Sequence, residues 1–96
     1  MLGLTRALAL EVATNGITVN AICPGYTDTD IIGNAVETIV SKTGKDKADA
    51  LSSFTATNPQ KRLIDPAEIA TTVVWLCGEA AKGINGESIS ISGGEI

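Results

Sequence analysis

The chain of 96 residues contains no histidine. That absence removes the usual general base at neutral pH, the Ser-His route to nucleophilic catalysis and most zinc sites. No apolar run approaches the roughly 20 residues that cross a bilayer, so no membrane partner is expected. Residues 1–12 lack the basic start and small-residue cleavage site of a secretory leader, and Arg6 and Glu11 interrupt them. The expected location is cytoplasmic. Paired cysteines are missing too: Cys23 and Cys77 lie far apart and form no C-x-x-C motif. Both read as small buried hydrophobes in a reducing compartment. Positive charge is scarce, with 7 Lys and Arg against 11 Asp and Glu and a net charge of −4. Lys42, Lys45, Lys47, Lys61 and Arg62 are interspersed with Asp46 and Asp49 and read as a solvated face. A nucleic-acid partner needs clustered cations and is not expected. No internal repeat or low-complexity tract is visible.

What is present is core-forming material. Hydrophobic residues make up 44% and charged residues 19%, the balance of one soluble domain at most, or of part of one. Residues 1–14 predict a helix rich in Leu, Ala, Arg and Glu. Leu4, Leu8 and Val12 form its apolar stripe, flanked by Leu2 and Ala9, and Asn15-Gly16 is its stop. No side chain before Leu2 offers a cap for the first N–H groups. Residues 17–23 predict a strand that is apolar on both faces, as in a parallel sheet, and Pro24 ends it. Residues 30–57 predict two short helices around the break Lys42-Thr-Gly-Lys45, stopped by Asn58-Pro59. This excursion reads either as a lid or as a plain surface insertion.

Asp65-Pro-Ala-Glu68 predicts the start of a helix that runs to about Cys77. Pro66 suits the first helical position, Asp65 and Glu68 suit a capping box, and Ile64 with Ile69 suits a hydrophobic staple. Ile69, Val73 and Leu76 share one face, with Gly78 as the stop. Gly83-Ile-Asn-Gly86 predicts a turn, and residues 87–91 alternate as a last strand before Ser92-Gly-Gly94. Two strands joined through a helix are expected to be parallel. An apolar strand edge is then left open.

One segment points at a ligand. In Ile17-Thr-Val-Asn-Ala-Ile-Cys-Pro-Gly-Tyr-Thr-Asp-Thr29 a strand runs into a Pro-Gly turn that carries a cluster of hydroxyls. Ligands of open α/β sheets bind at the carboxyl ends of strands.

Four pieces together resemble a known family. They are Gly3-Leu-Thr-Arg-Ala-Leu-Ala-Leu-Glu11, Ile17-Thr-Val-Asn-Ala-Ile-Cys-Pro-Gly25, Asp65-Pro-Ala-Glu-Ile-Ala70, and Ile84-Asn-Gly86 with Ser92-Gly-Gly94. In this order and spacing they are similar to the C-terminal part of a short-chain dehydrogenase/reductase. The resemblance implies an α/β fold and makes residues 1–96 part of one NAD(P)-binding Rossmann-type domain with a parallel sheet. It implies hydride transfer between NAD or NADP and a small-molecule alcohol or ketone. Pro24, Gly25, Tyr26 and Thr27 would line the nicotinamide side of the cofactor. The Thr27 backbone and the Thr29 hydroxyl would hold the carboxamide. Turn or capping chemistry is the other reading of Thr27 and Thr29.

The chain also departs from the family pattern. It contains no glycine-rich phosphate loop after a first strand, no ribose-reading residue and no catalytic serine strand. Its only tyrosine, Tyr26, is followed four residues on by Asp30, so the family's Y-x-x-x-K pair is absent and no catalytic residue is assigned. The expectation is a fragment, inactive alone, of an oxidoreductase that assembles as a homodimer or homotetramer. The alternative is a non-catalytic remnant that serves as a subunit-interaction module. The length of 29–59 and the pattern around Lys42-Thr-Gly44 and Val73-Val-Trp-Leu-Cys77 are similar to 3-hydroxybutyrate dehydrogenases, implying a small 3-hydroxyacyl substrate. Ser92 stands where the family usually has Asp.

Overall fold

A computed structural model of the chain describes residues 2–95. The fold is α/β. In chain order it consists of α1 (Leu2–Val12), a 3-10 turn (Ala13–Asn15), β1 (Ala21–Pro24), α2 (Asp30–Thr43), α3 (Lys47–Thr55), α4 (Pro66–Leu76), a second 3-10 turn (Glu79–Ala81) and β2 (Ser88–Ile91). Among the described residues β1 and β2 make a two-stranded sheet. The pairing is parallel because both strands advance together. Ala21 N–H donates to Glu87 O at 2.8 Å and Gly25 N–H to Ile91 O at 3.0 Å, at one constant sequence separation. No helix is long and apolar enough among the described residues to cross a membrane.

The chain divides into two compact units, residues 1–23 with 67–90 and residues 24–66 with 91–96. In the first unit, α1 closes as expected through its 3-10 turn into a left-handed Gly16. Its packing face is not the expected one. Ala9, expected only at the flank, is buried together with Thr5, whereas the expected stripe residues Leu4 and Leu8 are 70% and 41% exposed. The reason is a close backbone approach. A Cβ on Gly86 would stand 3.6 Å from the Ala9 Cβ, and Asn85 Nδ2 reaches Ala9 O at 3.5 Å. Only small side chains fit between segments that near, so the leucines turn outward.

The first strand begins at Ala21, not Ile17. Before it, backbone and side-chain bonds are mixed: Val19 O accepts from Gly86 N–H at 2.8 Å, and side-chain amides make the other contacts. Val19 N–H donates to Asn85 Oδ1 at 3.0 Å. Asn20 Nδ2 donates to Ile84 O at 3.0 Å, and its Oδ1 accepts from Glu87 N–H at 3.0 Å. Asn85 and Asn20 thus satisfy backbone groups that a regular strand would satisfy with backbone. The Gly83–Gly86 segment is accordingly a docking element as well as a turn.

Both cysteines are exposed, contrary to the sequence reading. Cys23 lies on an uncovered strand face, with its sulfur 3.2 Å from Ser88 Oγ, and Cys77 follows the last turn of α4. That helix starts at Pro66 as expected and ends at Leu76. Its end tightens through Cys77 N–H shared between Val73 O and Val74 O. Gly78 keeps a negative φ of −92° and leads into the second 3-10 turn, so it is no left-handed stop.

In the second unit the two expected helices appear, separated by Gly44. They pack on one another, and Val36 and Ala50 are their buried residues. Ile64 is fully buried. Its N–H donates to Tyr26 O at 2.9 Å, and its carbonyl accepts from Asp28 N–H at 2.8 Å. Asn58 is buried as well. Its Oδ1 accepts from Gln60 N–H at 2.7 Å and its Nδ2 donates to Arg62 O at 2.9 Å. Above it sits Gly93 at φ +67°, where a Cβ would fall 2.2 Å from Asn58 Oδ1. Glycine is required there twice over, by the left-handed backbone and by the contact.

Candidate functional site

The turn after β1 is built within the second unit. Gly25 N–H extends the strand register to Ile91, and a Cβ at Gly25 would stand 3.2 Å from both Cα and Cβ of Ser92. This close approach explains a glycine after the strand-ending proline. Tyr26 is half exposed, and its ring meets Phe54 of α3 edge-on, with centroids 5.3 Å apart at 80°. The ring therefore braces the second helix of the 30–57 excursion against the turn.

Thr27 forms an isolated parallel bridge with Ile64. In that geometry the neighbours Tyr26 and Asp28 supply the bonds to Ile64, and the N–H and C=O of Thr27 itself face the opposite side. The Thr27 N–H has no hydrogen-bond partner among the described residues. Its hydroxyl donates to Gly25 O at 3.0 Å, which is turn chemistry. Thr29 occupies the N-cap position of α2 with extended backbone, yet its side chain makes no capping bond. Among the described residues its hydroxyl is unengaged. One N–H donor and one hydroxyl, two residues apart and both without a partner among the described residues, match what a primary carboxamide requires.

Pro24, Gly25 and Tyr26 line an open cavity of about 330 Å³, and the fourth lining residue is Glu95. Thr27 and Thr29 follow in sequence and do not line it. A larger cavity of about 480 Å³ includes Leu51, Lys61, Leu63 and Asp65, but only Asp28 of the turn. Size alone does not select it, because it lacks the Pro-Gly backbone.

Glu95 was not singled out from the sequence. Its Oε1 accepts from Thr57 Oγ1 at 2.6 Å, and its Oε2 lies 3.6 Å from the position of a Gly25 Cβ. Ser92 Oγ donates to Glu95 O at 2.9 Å and folds the tail back. Asn58 likewise read only as part of a helix stop. The Asn-Pro pair with a polar residue two positions on was the available signal for its Asx turn.

A family model described as "Enoyl-(Acyl carrier protein) reductase" matches residues 1–95. The chain is 43% identical over 96 residues to "Uncharacterized oxidoreductase YxjF" of Bacillus subtilis (strain 168), covering 98% of this chain and 37% of that protein. It is 40% identical over 94 residues to an acetoacetyl-CoA reductase of Rhizobium meliloti (strain 1021), covering 98% and 35% respectively. The solved L-sorbose reductase from Gluconobacter frateurii, complexed with NADPH and L-sorbose, is similar with a TM-score of 0.91 at 30% identity, over 99% of this chain and 36% of that one. The chain spans about a third of the length of the curated relatives it matches. The matched family model, the oxidoreductase relatives, the NADPH-bound structural neighbour and the parallel α/β fold agree: the chain belongs to the short-chain dehydrogenase/reductase family.

Proposed function

We propose that residues 1–96 are part of one NAD(P)-binding Rossmann-type domain of a cytoplasmic oxidoreductase that interconverts a secondary alcohol and a ketone. Residues 24–29 serve it as one wall of the nicotinamide pocket. A bound nicotinamide supplies or accepts the hydride. In this reading Thr27 N–H donates to the carboxamide oxygen, and Thr29 Oγ1 accepts from the carboxamide nitrogen. Pro24, Gly25 and Tyr26 line the same side of the cofactor. The resemblance to an acetoacetyl-CoA reductase supports a small 3-hydroxyacyl substrate.

The observation that carries this reading is the unengaged pair, Thr27 N–H and Thr29 hydroxyl, at the carboxyl end of β1. Its test is a titration of the 15N-labelled chain with nicotinamide. The amides of Gly25 to Thr29 should shift on binding. Thr29→Val should weaken that binding about 2- to 10-fold, the worth of one hydrogen bond, while Thr29→Ser retains it. Equal binding by the valine variant would sink the assignment of Thr29.

A second reading, a subunit-interaction module, rests on a different observation. Leu4, Leu10 and Val74 are 70%, 81% and 72% exposed on α1 and α4. Exposed apolar side chains of that extent suit protein contacts, in a homodimer or homotetramer of the whole enzyme or in a remnant that binds a related subunit. Sedimentation that finds only monomer, together with nicotinamide shifts at Gly25 to Thr29, favours the cofactor-wall reading over the module.

A further inference from the structure

We propose that Glu95 makes this turn prefer the oxidised, cationic nicotinamide over the reduced, neutral one. The inference rests on the reading of residues 24–29 as the nicotinamide wall and adds a charge selectivity to it.

Four observations converge. Glu95 shares one cavity with Pro24, Gly25 and Tyr26. Its Oε2 comes within 3.6 Å of where a Gly25 side chain would begin, so the carboxylate faces the glycine backbone directly. The Thr57 hydroxyl donates to Oε1 and fixes the group in that orientation. No cation pairs with it among the described residues: Lys82 pairs with Glu79, and Lys61 donates its ammonium to Ala56 O. The carboxylate therefore has no ion-pair partner among the described residues and is held against the wall.

The chemistry that meets such a charge follows. The nicotinamide ring carries a positive charge when oxidised and none when reduced. A fixed carboxylate beside the ring attracts the first form and leaves the second nearly indifferent. In a solvent-filled cleft a separation of several ångströms makes this about a 3- to 10-fold difference in affinity at low salt. Added salt narrows it, because the pair is partly screened. By linkage, the bound couple is biased toward the oxidised state by the same factor.

The experiment compares two small probes on the 15N-labelled 96-residue chain. The probes are 1-methylnicotinamide, a cation, and nicotinamide, which is neutral, each followed by the amide shifts of Gly25 to Thr29. The cation should bind about 3- to 10-fold more tightly at low salt, with the gap shrinking at high salt. Glu95→Gln keeps an oxygen for Thr57 and should erase the preference. Glu95→Asp keeps the charge and should keep its direction. Equal affinity of the two probes for the unaltered chain overturns the charge selectivity and leaves the nicotinamide wall standing. A preference that survives Glu95→Gln overturns the role of Glu95. Absence of shifts with either probe overturns both the wall and this inference.

Discussion

Asn58 and Gly93 show how much one residue pair determines around the turn. Asn58 spends both ends of its amide on the 58–62 backbone, and Gly93 lies so close that any side chain would displace it. Gly93→Ala therefore combines a left-handed alanine with the loss of buried hydrogen bonds. It should ease local opening by about 1–3 kcal/mol. Amide exchange at Gln60, whose N–H binds Asn58 Oδ1, should accelerate roughly 5- to 150-fold. Gly33→Ala is the control. Nothing lies within 4 Å of a Cβ there, and the substitution should leave Gln60 unchanged. Equal protection of Gln60 in Gly93→Ala would show that the contact does not hold the segment.

At the scale of elements, α1 separates what pattern can read from what only packing decides. Its extent and its Asn15-Gly16 end were legible, because helix propensity and a left-handed stop are local properties. So were α2, α3 and the Gly44 break, the Pro66 start of α4 and the alternation of β2. The buried face of α1 was not legible. The expected stripe of Leu4, Leu8 and Val12 carried Ala9 only at its flank and left out Thr5, and nothing local announces that Gly86 will come to within contact of Ala9. The first strand was overextended for a similar reason. Residues 17–20 have strand composition, but the side chains of Asn20 and Asn85, 65 positions apart, interleave with the backbone bond there, Gly86 N–H to Val19 O. In the turn, residue types were enough to mark 24–29, whereas Glu95 enters through a tail fold that no motif encodes. The α1 packing gives a direct contrast. Ala9→Leu should destabilise α1 by about 1–3 kcal/mol through overpacking, and Leu10→Gln should change it by no more than about 0.5 kcal/mol. Exchange protection of the α1 amides distinguishes the two, and a reversed order would refute the assigned face.

At the scale of the whole molecule, these 96 residues contain no Y-x-x-x-K pair, and the expectation is that they do not transfer hydride unaided. A positioned general acid contributes about 10²–10⁴-fold, and no residue of the turn replaces it. The purified chain, mixed with NADPH and acetoacetyl-CoA, should show no oxidation of the cofactor above the no-protein control. Sustained turnover would refute this. The parallel pairing of β1 with β2 has its own consequence for how the chain reaches this state. The contacts that align the two strands join positions 66 residues apart, as Val19 and Asn85 do. Bringing the ends of a loop that long together costs about 4 kcal/mol of chain entropy in the simple closure model, before any strand hydrogen bond forms in return. The α-helices need no such closure. The Gly25–Ile91 bond that seats the turn thus depends on the least local event in the chain, and the site is ordered only once the two distant ends of the sequence have met.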